Sequence, residues 1–256
     1  MKPVLGKRVL IFGATSAIAA EVAVLHARRG DRLHLVGRDP TRLAAVAARC
    51  SALGATVTTS VADFDALQDN DAVVAHAVTT LTAGEPLDTV LIAHGVLGDQ
   101  LETERDFGAA EASFHTNFSS VVSLLVPLVN RLEQQRSGRI GVITSVAGDR
   151  GRPRNYTYGA AKGALGIYLQ GVRTRLHTAG VRVTTLKLGP VDTPMTRDHK
   201  KHLLFGKPGR VAAGIVAAMD AGAAEVYVPG FWRLIMPVVR NMPEALIQRL
   251  GFLSGR

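Results

Sequence analysis

The stretch Val9-Leu10-Ile11-Phe12-Gly13-Ala14-Thr15-Ser16-Ala17-Ile18-Ala19 decides the fold. Four apolar residues read as a strand, and the small residues from Gly13 onward hand the chain to a helix. A turn of this kind binds a dinucleotide when backbone N–H groups and the electropositive helix N-terminus face a pyrophosphate. Glycine is needed there where φ is positive or where a Cβ would strike phosphate. Gly13 keeps the first of three expected glycines, and Ala17 and Ala19 replace the other two with the next smallest side chain. Thr15 and Ser16 add hydroxyls that bond phosphate or cap the helix. Taken alone, the segment suits a phosphate loop and a plain capped helix equally well.

The alternation continues outward. Strands are predicted at Arg8–Phe12, Arg32–Val36, Thr56–Val61, Thr89–Ala93, Arg139–Thr144, Val181–Leu186 and Glu225–Val228. Helices are predicted at Ala17–Arg29, Thr41–Leu53, Ala66–Leu81, Tyr158–Ala179 and Pro208–Ala221, with two more across Glu104–Gln135. Gly30, Gly54 and Gly180 fall just past helix ends, where a left-handed cap is used. Apolar strands suit a sheet buried on both faces. Repeated β-α units imply an α/β fold, a Rossmann-type doubly wound parallel sheet of about seven strands. Residues 1–228 read as one domain and 229–256 as an apolar, basic extension.

Composition narrows the class. The 256 residues are 47% apolar, enough to bury a substantial core, and the net charge of +9 suits an anionic partner. Aromatics are only 5% and do not interleave with the basic residues, which argues against nucleic acid. The single cysteine, Cys50, lies in an Ala-rich helix and reads as packing, so a reducing, cytoplasmic setting is expected and no metal site is. Lys2, Lys7 and Arg8 before an apolar run imitate a leader, but Gly13, Thr15 and Ser16 break the run. No stretch reaches the ~18 unbroken apolar residues of a membrane span.

In a parallel sheet, ligands bind at the strand carboxyl ends. The second strand ends at Gly37-Arg38 where an acidic residue would bond a ribose 2′-hydroxyl. Arg38 instead suits a 2′-phosphate, which points to NADP(H) ahead of NAD(H). Asp39 is placed to cap the next helix, Asp63 and Phe64 to flank adenine, and Ala93-His94-Gly95 to approach the cofactor closely. His94 reads equally as a packed histidine.

The fifth strand ends at Ser145, and thirteen residues on comes Tyr158-Gly159-Ala160-Ala161-Lys162. Tyr158 and Lys162 share a helix face. A nearby ammonium lowers a phenol from its usual value near ~10 and equips it to exchange a proton with a carbonyl oxygen. Ser145 is placed to hydrogen-bond that oxygen. With four tyrosines and seven lysines, chance yields such a pair in about one chain in ten, so the upstream serine carries the weight. Tyr156, six residues from Lys162, faces elsewhere. Asn117 lies mid-helix, where asparagine is mildly unfavourable.

Residues ~8–228 resemble the short-chain dehydrogenase/reductase family. The resemblance implies that Tyr158 donates a proton, Lys162 holds the nicotinamide ribose and tunes Tyr158, Ser145 orients the carbonyl and Asn117 supports a water relay. Leu188-Gly189-Pro190-Val191-Asp192-Thr193 is similar to the family's PGxVxT segment, with Leu188 in place of proline, which would set the Val191 main chain and Thr193 against the carboxamide. Ala93-His94-Gly95 departs from the family's Asn-Ala-Gly. Such enzymes are commonly dimers or tetramers, so a homo-oligomer is expected.

Ser145 to Asn155, residues 93–99 and Val228-Pro229 further resemble the mycobacterial-type decaprenylphosphoryl-2-keto-ribose reductases. That resemblance implies a 2-keto pentose on a polyprenyl phosphate, reduced to complete a 2′-epimerisation begun by a flavin oxidase in cell-envelope polysaccharide synthesis. Arg150, Arg152 and Arg154 alternate on a segment bordering the substrate, and Lys200 and Lys201 follow Thr193 in a lid; all five suit an anion or a solvated surface. The tail from Phe231 is apolar with spaced arginines, among them Arg233 and Arg240, and suits a membrane interface or a subunit contact. Two other readings stay open: a reductase of a soluble ketone, such as a steroid or acyl thioester, and a non-catalytic NAD(P)-sensing protein.

Overall fold

A computed structural model describes residues 6–197 and 203–249. Seven parallel strands form one sheet: β1 (Arg8–Phe12), β2 (Arg32–Gly37), β3 (Val57–Val61), β4 (Thr89–Ile92), β5 (Arg139–Ser145), β6 (Arg182–Leu188) and β7 (Glu225–Val228). Their order is β3-β2-β1-β4-β5-β6-β7. The chain winds first toward one edge and then, from β4, toward the other. The crevice between β1 and β4 therefore opens at the strand carboxyl ends, where Gly13 and His94 emerge side by side.

Both sheet faces are covered, as the apolar strands require. In β1, Val9 and Ile11 face one core, built with α1 (Ala17–Ala27), α2 (Pro40–Ser51) and, later in the chain, the helix at Pro208–Asp220. Leu10 and Phe12 face the other, built with α3 (Asn70–Thr82) and the helices at Ser120–Gln135 and Tyr156–Leu176. Cys50 is fully buried in the first core, where burial pushes its thiol up.

Most predicted elements recur with shifted ends. The region expected to hold two helices contains α5 (Phe107–Phe114), a π-helical turn (His115–Ser119) and α6 (Ser120–Gln135), and the short α4 (Gln100–Thr103) precedes it. The run Phe107–Gln135 is long and apolar enough on average to cross a membrane, although polar residues interrupt it, and its Leu124, Leu125, Leu128 and Leu132 are buried against the sheet. It serves as a core helix. α7 (Tyr156–Leu176) starts one residue after Asn155, two before the predicted start. After α8 (Pro208–Asp220) and β7, the tail forms α9 (Trp232–Asn241) and α10 (Glu244–Arg249). Pro237 lies inside α9 without ending it.

Candidate active site

The first β-α turn brings bare backbone to the start of a helix. Gly13 takes φ +75°, and a Cβ there would lie 2.6 Å from the His94 nitrogen, so both conformation and the β4 crossing demand glycine. The Gly13 and Ala14 amides bond the Val36 carbonyl, tying the turn to β2. Ser16 caps α1 by accepting from the Ala19 amide at 3.1 Å. Helix geometry leaves the amides of Ala17 and Ile18 in the first turn without acceptors four residues back, which is what an anion would use.

At the tip of β2, Arg38 is 70% exposed, with its guanidinium 3.8 Å from Asp63. Asp39 caps α2 through the Arg42 amide. Arg42 was missed in the sequence: its guanidinium donates to the Thr15 carbonyl at 2.8 Å, bringing a second cation beside Arg38 and the phosphate turn. Its position near the start of a helix looked like an ordinary solvated charge.

Two of the strand-end residues have packed side chains. The Phe64 side chain is buried, edge-on to Phe12, and its ring centroid is 4.7 Å from that of His94. Ser120 gives its hydroxyl hydrogen to the Thr116 carbonyl, so His94 Nε2–H must donate to Ser120 Oγ, at 2.8 Å. Burial, with help from the Lys162 charge, pushes the imidazole down to about 3, so the ring is neutral. Its Nδ1 is buried without a partner among the described residues. Of the two readings of His94, the packed histidine fits these contacts.

Four side chains meet beyond β4 and β5. The register pairs Ser145 with Leu188, so β5 overhangs β4 and carries Ser145 past the sheet edge. Ser145 Oγ accepts from the Ala147 amide at 3.1 Å, capping the 3₁₀ turn Val146–Asp149, donates to the Leu188 carbonyl at 3.4 Å and neighbours the Tyr158 phenol. Burial pushes the Tyr158 phenol up to about 12, and the bond to Ser145 offsets this only in part. The expectation of a phenol lowered by Lys162 is not met in the protein alone, because Lys162 Nζ stands 5.8 Å from the ring centroid. Tyr158 is thus an intact acid. Lys162 is 3% exposed, and burial pushes it down to about 8. Its ammonium makes one long bond, 3.5 Å, to the Ile143 carbonyl, leaving N–H groups to give.

Asn117 sits in the π-helical turn and is fully buried. Its Oδ1 accepts from the Val96 amide, while Nδ2 donates to the carbonyls of Val96 and Ser113. Those bonds hold the loop after β4 against the turn. Gly95 lies between: a Cβ there would come within 2.7 Å of Asn117 Oδ1 and 3.1 Å of Lys162 Nζ. After β6, the Val191 carbonyl accepts from the Thr196 hydroxyl at 2.7 Å, and the Thr193 amide donates to Thr196 Oγ1 at 3.2 Å. Thr196, also unforeseen, thereby fixes the segment expected to face a carboxamide.

The three loop arginines do not converge on one point. Arg150 donates to the Arg240 carbonyl at 3.0 Å and to Glu244 at 2.5 Å, so it ties the loop to the tail and is not free for an anion. The Arg152 side chain makes no hydrogen bond or ion pair among the described residues; burial and Arg154 push it down, and Asp149 offsets this in part. With Arg150, Pro153, Tyr156, Glu104 and Glu244 it lines an open cavity of about 730 Å³. Tyr156 is exposed, whereas Tyr158 lies with Ser145. Lys200 and Lys201 lie outside the described residues.

Comparison with known proteins shows the family and the fold. The family model described as short chain dehydrogenase matches residues 7–203. An uncharacterized oxidoreductase of Streptomyces coelicolor is 36% identical, over 95% of this chain and 96% of the relative. One of Mycobacterium tuberculosis strain H37Rv is 35% identical, over 94% and 96%. Among solved structures, levodione reductase superposes with a TM-score of 0.79 at 23% identity, covering 89% of this chain and 97% of that one, a likeness of fold.

Proposed function

The chain belongs to the short-chain dehydrogenase family and is an oxidoreductase, and we propose that it reduces a ketone to an alcohol with NADPH. The observation that carries this reading is the grouping of Ser145, at the end of β5, with Tyr158 and the buried Lys162 ammonium, whose Nζ lies 5.8 Å from the Tyr158 ring centroid. The residues present fit a nicotinamide dinucleotide. Gly13 and Gly95 keep bare backbone where a side chain would fill the cradle, and Lys162 has N–H groups left for ribose hydroxyls. When bound, the cofactor supplies hydride.

The protein's own groups do the rest. Ser145 holds the carbonyl oxygen and stabilises its growing charge. Tyr158 delivers its proton to that oxygen. The Lys162 ammonium then favours the phenolate left behind. Asn117 keeps the loop after β4 in place and supports refilling of the proton through water. The test is oxidation of NADPH and NADH against a ketone panel; no turnover with any ketone would sink the reading.

Arg38 and Arg42 support a preference for NADP(H). Two guanidiniums flank the place of a 2′-phosphate, and the strand tip lacks a carboxylate for a 2′-hydroxyl. Replacing both by Ala is expected to raise the KM for NADPH by about a hundredfold, as losing two charge-assisted pairs would, and to leave that for NADH within a few-fold. An equal effect on both cofactors would refute this.

For the substrate, we infer a 2-keto sugar on a polyprenyl phosphate. Support comes from Arg152, unpaired in the cavity wall, and from exposed Phe231 and Leu234 beside Arg233 and Arg240 in the tail. A flavin oxidase would be the partner enzyme, and the tail would rest on the membrane carrying the lipid. Arg152→Ala should raise the KM for a keto-pentosyl polyprenyl phosphate about tenfold and leave an uncharged keto-pentoside unchanged. Flotation with liposomes, with and without residues 231–256, tests the tail. A soluble ketone is the second reading, supported by the loss of Arg150 to Glu244. It predicts indifference to the phosphate and to liposomes.

A further inference from the structure

We propose that α9 is a clamp on the Ser145 turn and that Trp232 is its positioning residue, a role that presupposes Ser145 as the group orienting the carbonyl. The direction of Ser145 Oγ is set by the turn it caps, since it accepts the Ala147 amide. Whatever holds Val146–Asp149 therefore aims the hydroxyl.

On one side the turn rests directly on α7. A Cβ on Gly148 would lie 2.7 Å from the Gly163 nitrogen, and one on Gly159 would lie 2.7 Å from the Ala147 carbonyl oxygen. Backbone meets backbone there, so that side has no slack. On the other side the contact is made by side chains of the tail. Val146 packs in a small separate cluster with Trp232, 7% exposed, and Met236, 1% exposed, flanked by Tyr227, Ile235 and Val239.

The same indole reaches the other half of the site. A Cβ on Gly189 would sit 2.0 Å from Trp232 Nε1, so the ring lies on bare backbone immediately before Pro190 and Val191. Ser145 Oγ also lies 3.4 Å from the Leu188 carbonyl. One aromatic plate thus touches both the serine turn and the segment leading to Thr193. Its Nε1–H is buried without a partner among the described residues, so shape and not hydrogen bonding explains the indole.

Charges close the clamp beyond the indole. Asp149, at the end of the turn, accepts from Lys187 Nζ at 2.6 Å and from the Tyr227 hydroxyl at 2.6 Å. Arg150 follows and reaches Arg240 and Glu244. Residues of β6, β7, α9 and α10 therefore hold the turn at Val146, Asp149 and Arg150.

The test is hydrogen exchange on the full chain, together with steady-state kinetics on phenanthrenequinone as a dicarbonyl probe. Trp232→Ala should speed exchange in residues 145–150 and leave β1 to β4 protected as in the wild type. It should lower kcat about tenfold, a loss in scale with small misplacement of a reacting group. Trp232→Phe, which fills most of the space and removes the unpartnered N–H, should keep both readouts within about twofold. Unchanged exchange at 145–150 overturns the clamp, as does faster exchange with an unchanged kcat. Faster exchange throughout the sheet overturns it too, because it would mark a global loss of stability. If the wild type does not reduce this probe, exchange alone decides the clamp, and the ketone panel separately decides the reductase reading.

Discussion

Replacing Tyr158 by Phe is expected to cut ketone reduction about a thousandfold while NADPH binds as tightly as before. General acid catalysis contributes roughly 10²–10⁴ to a rate, and this substitution removes only the proton and its oxygen. The ring stays, so the packing around Lys162 and Asn117 stays with it. The acid is well prepared: burial holds the phenol at about 12, above its ordinary value, so the proton is present at any neutral pH. Single-turnover rates measure the first quantity, and quenching of protein fluorescence by NADPH the second. A variant within tenfold of the wild type would mean that the proton comes from elsewhere, and the mechanism would fall.

Replacing Lys162 by Met should separate stability from activity. Lys162 is buried, and its pKa falls from 10.5 to about 8, so holding it charged at pH 7 costs the fold about 3 kcal/mol at 1.36 kcal/mol per unit. Met fills similar space without the charge. The variant should melt several degrees higher at pH 7, at the usual ~2–4 °C per kcal/mol for a chain of this size, and yet reduce ketones at least about a hundredfold more slowly. The sign of the pH effect follows from proton binding. Between pH 8 and 10.5 the unfolded chain holds the proton and the folded chain does not, so the wild type gains stability as pH rises through that window. The gap in melting temperature between variant and wild type should therefore close by about pH 10. A variant that melts lower at pH 7 would show that the ammonium holds the site together and is not a burden on it. Wild-type reduction should also fall as pH rises through about 8, where the ammonium is lost.

Gly13, Ser145, Tyr158 and Lys162 were legible because each obeys a local rule. A positive φ selects glycine, a strand end exposes a serine, and a four-residue spacing puts two side chains on one helix face. Seven parallel strands were legible for the same reason, since apolar runs and helical periods are properties of short segments. The ends of elements were less so: the Phe107–Gln135 region hides a π-helical turn that carries the buried Asn117, whose partner Val96 lies 21 residues away.

Side chains that work at a distance were less legible. His94 and Phe64 follow strands, and their side chains pack on each other. Arg150 looked free because its partners, Arg240 and Glu244, come about 90 residues later. Arg42 looked ordinary until its guanidinium was found on Thr15.

The amino-acid sequence by itself determined the doubly wound sheet, the positive-φ turn at Gly13 and the shared helix face of Tyr158 and Lys162, because backbone sterics and periodicity act between neighbours. Only the tertiary structure decided that burial raises the Tyr158 phenol and lowers the Lys162 ammonium, and that Trp232 packs on Val146 of the serine turn. Desolvation and packing are set by whichever residues the fold brings close, and those lie far apart along the chain.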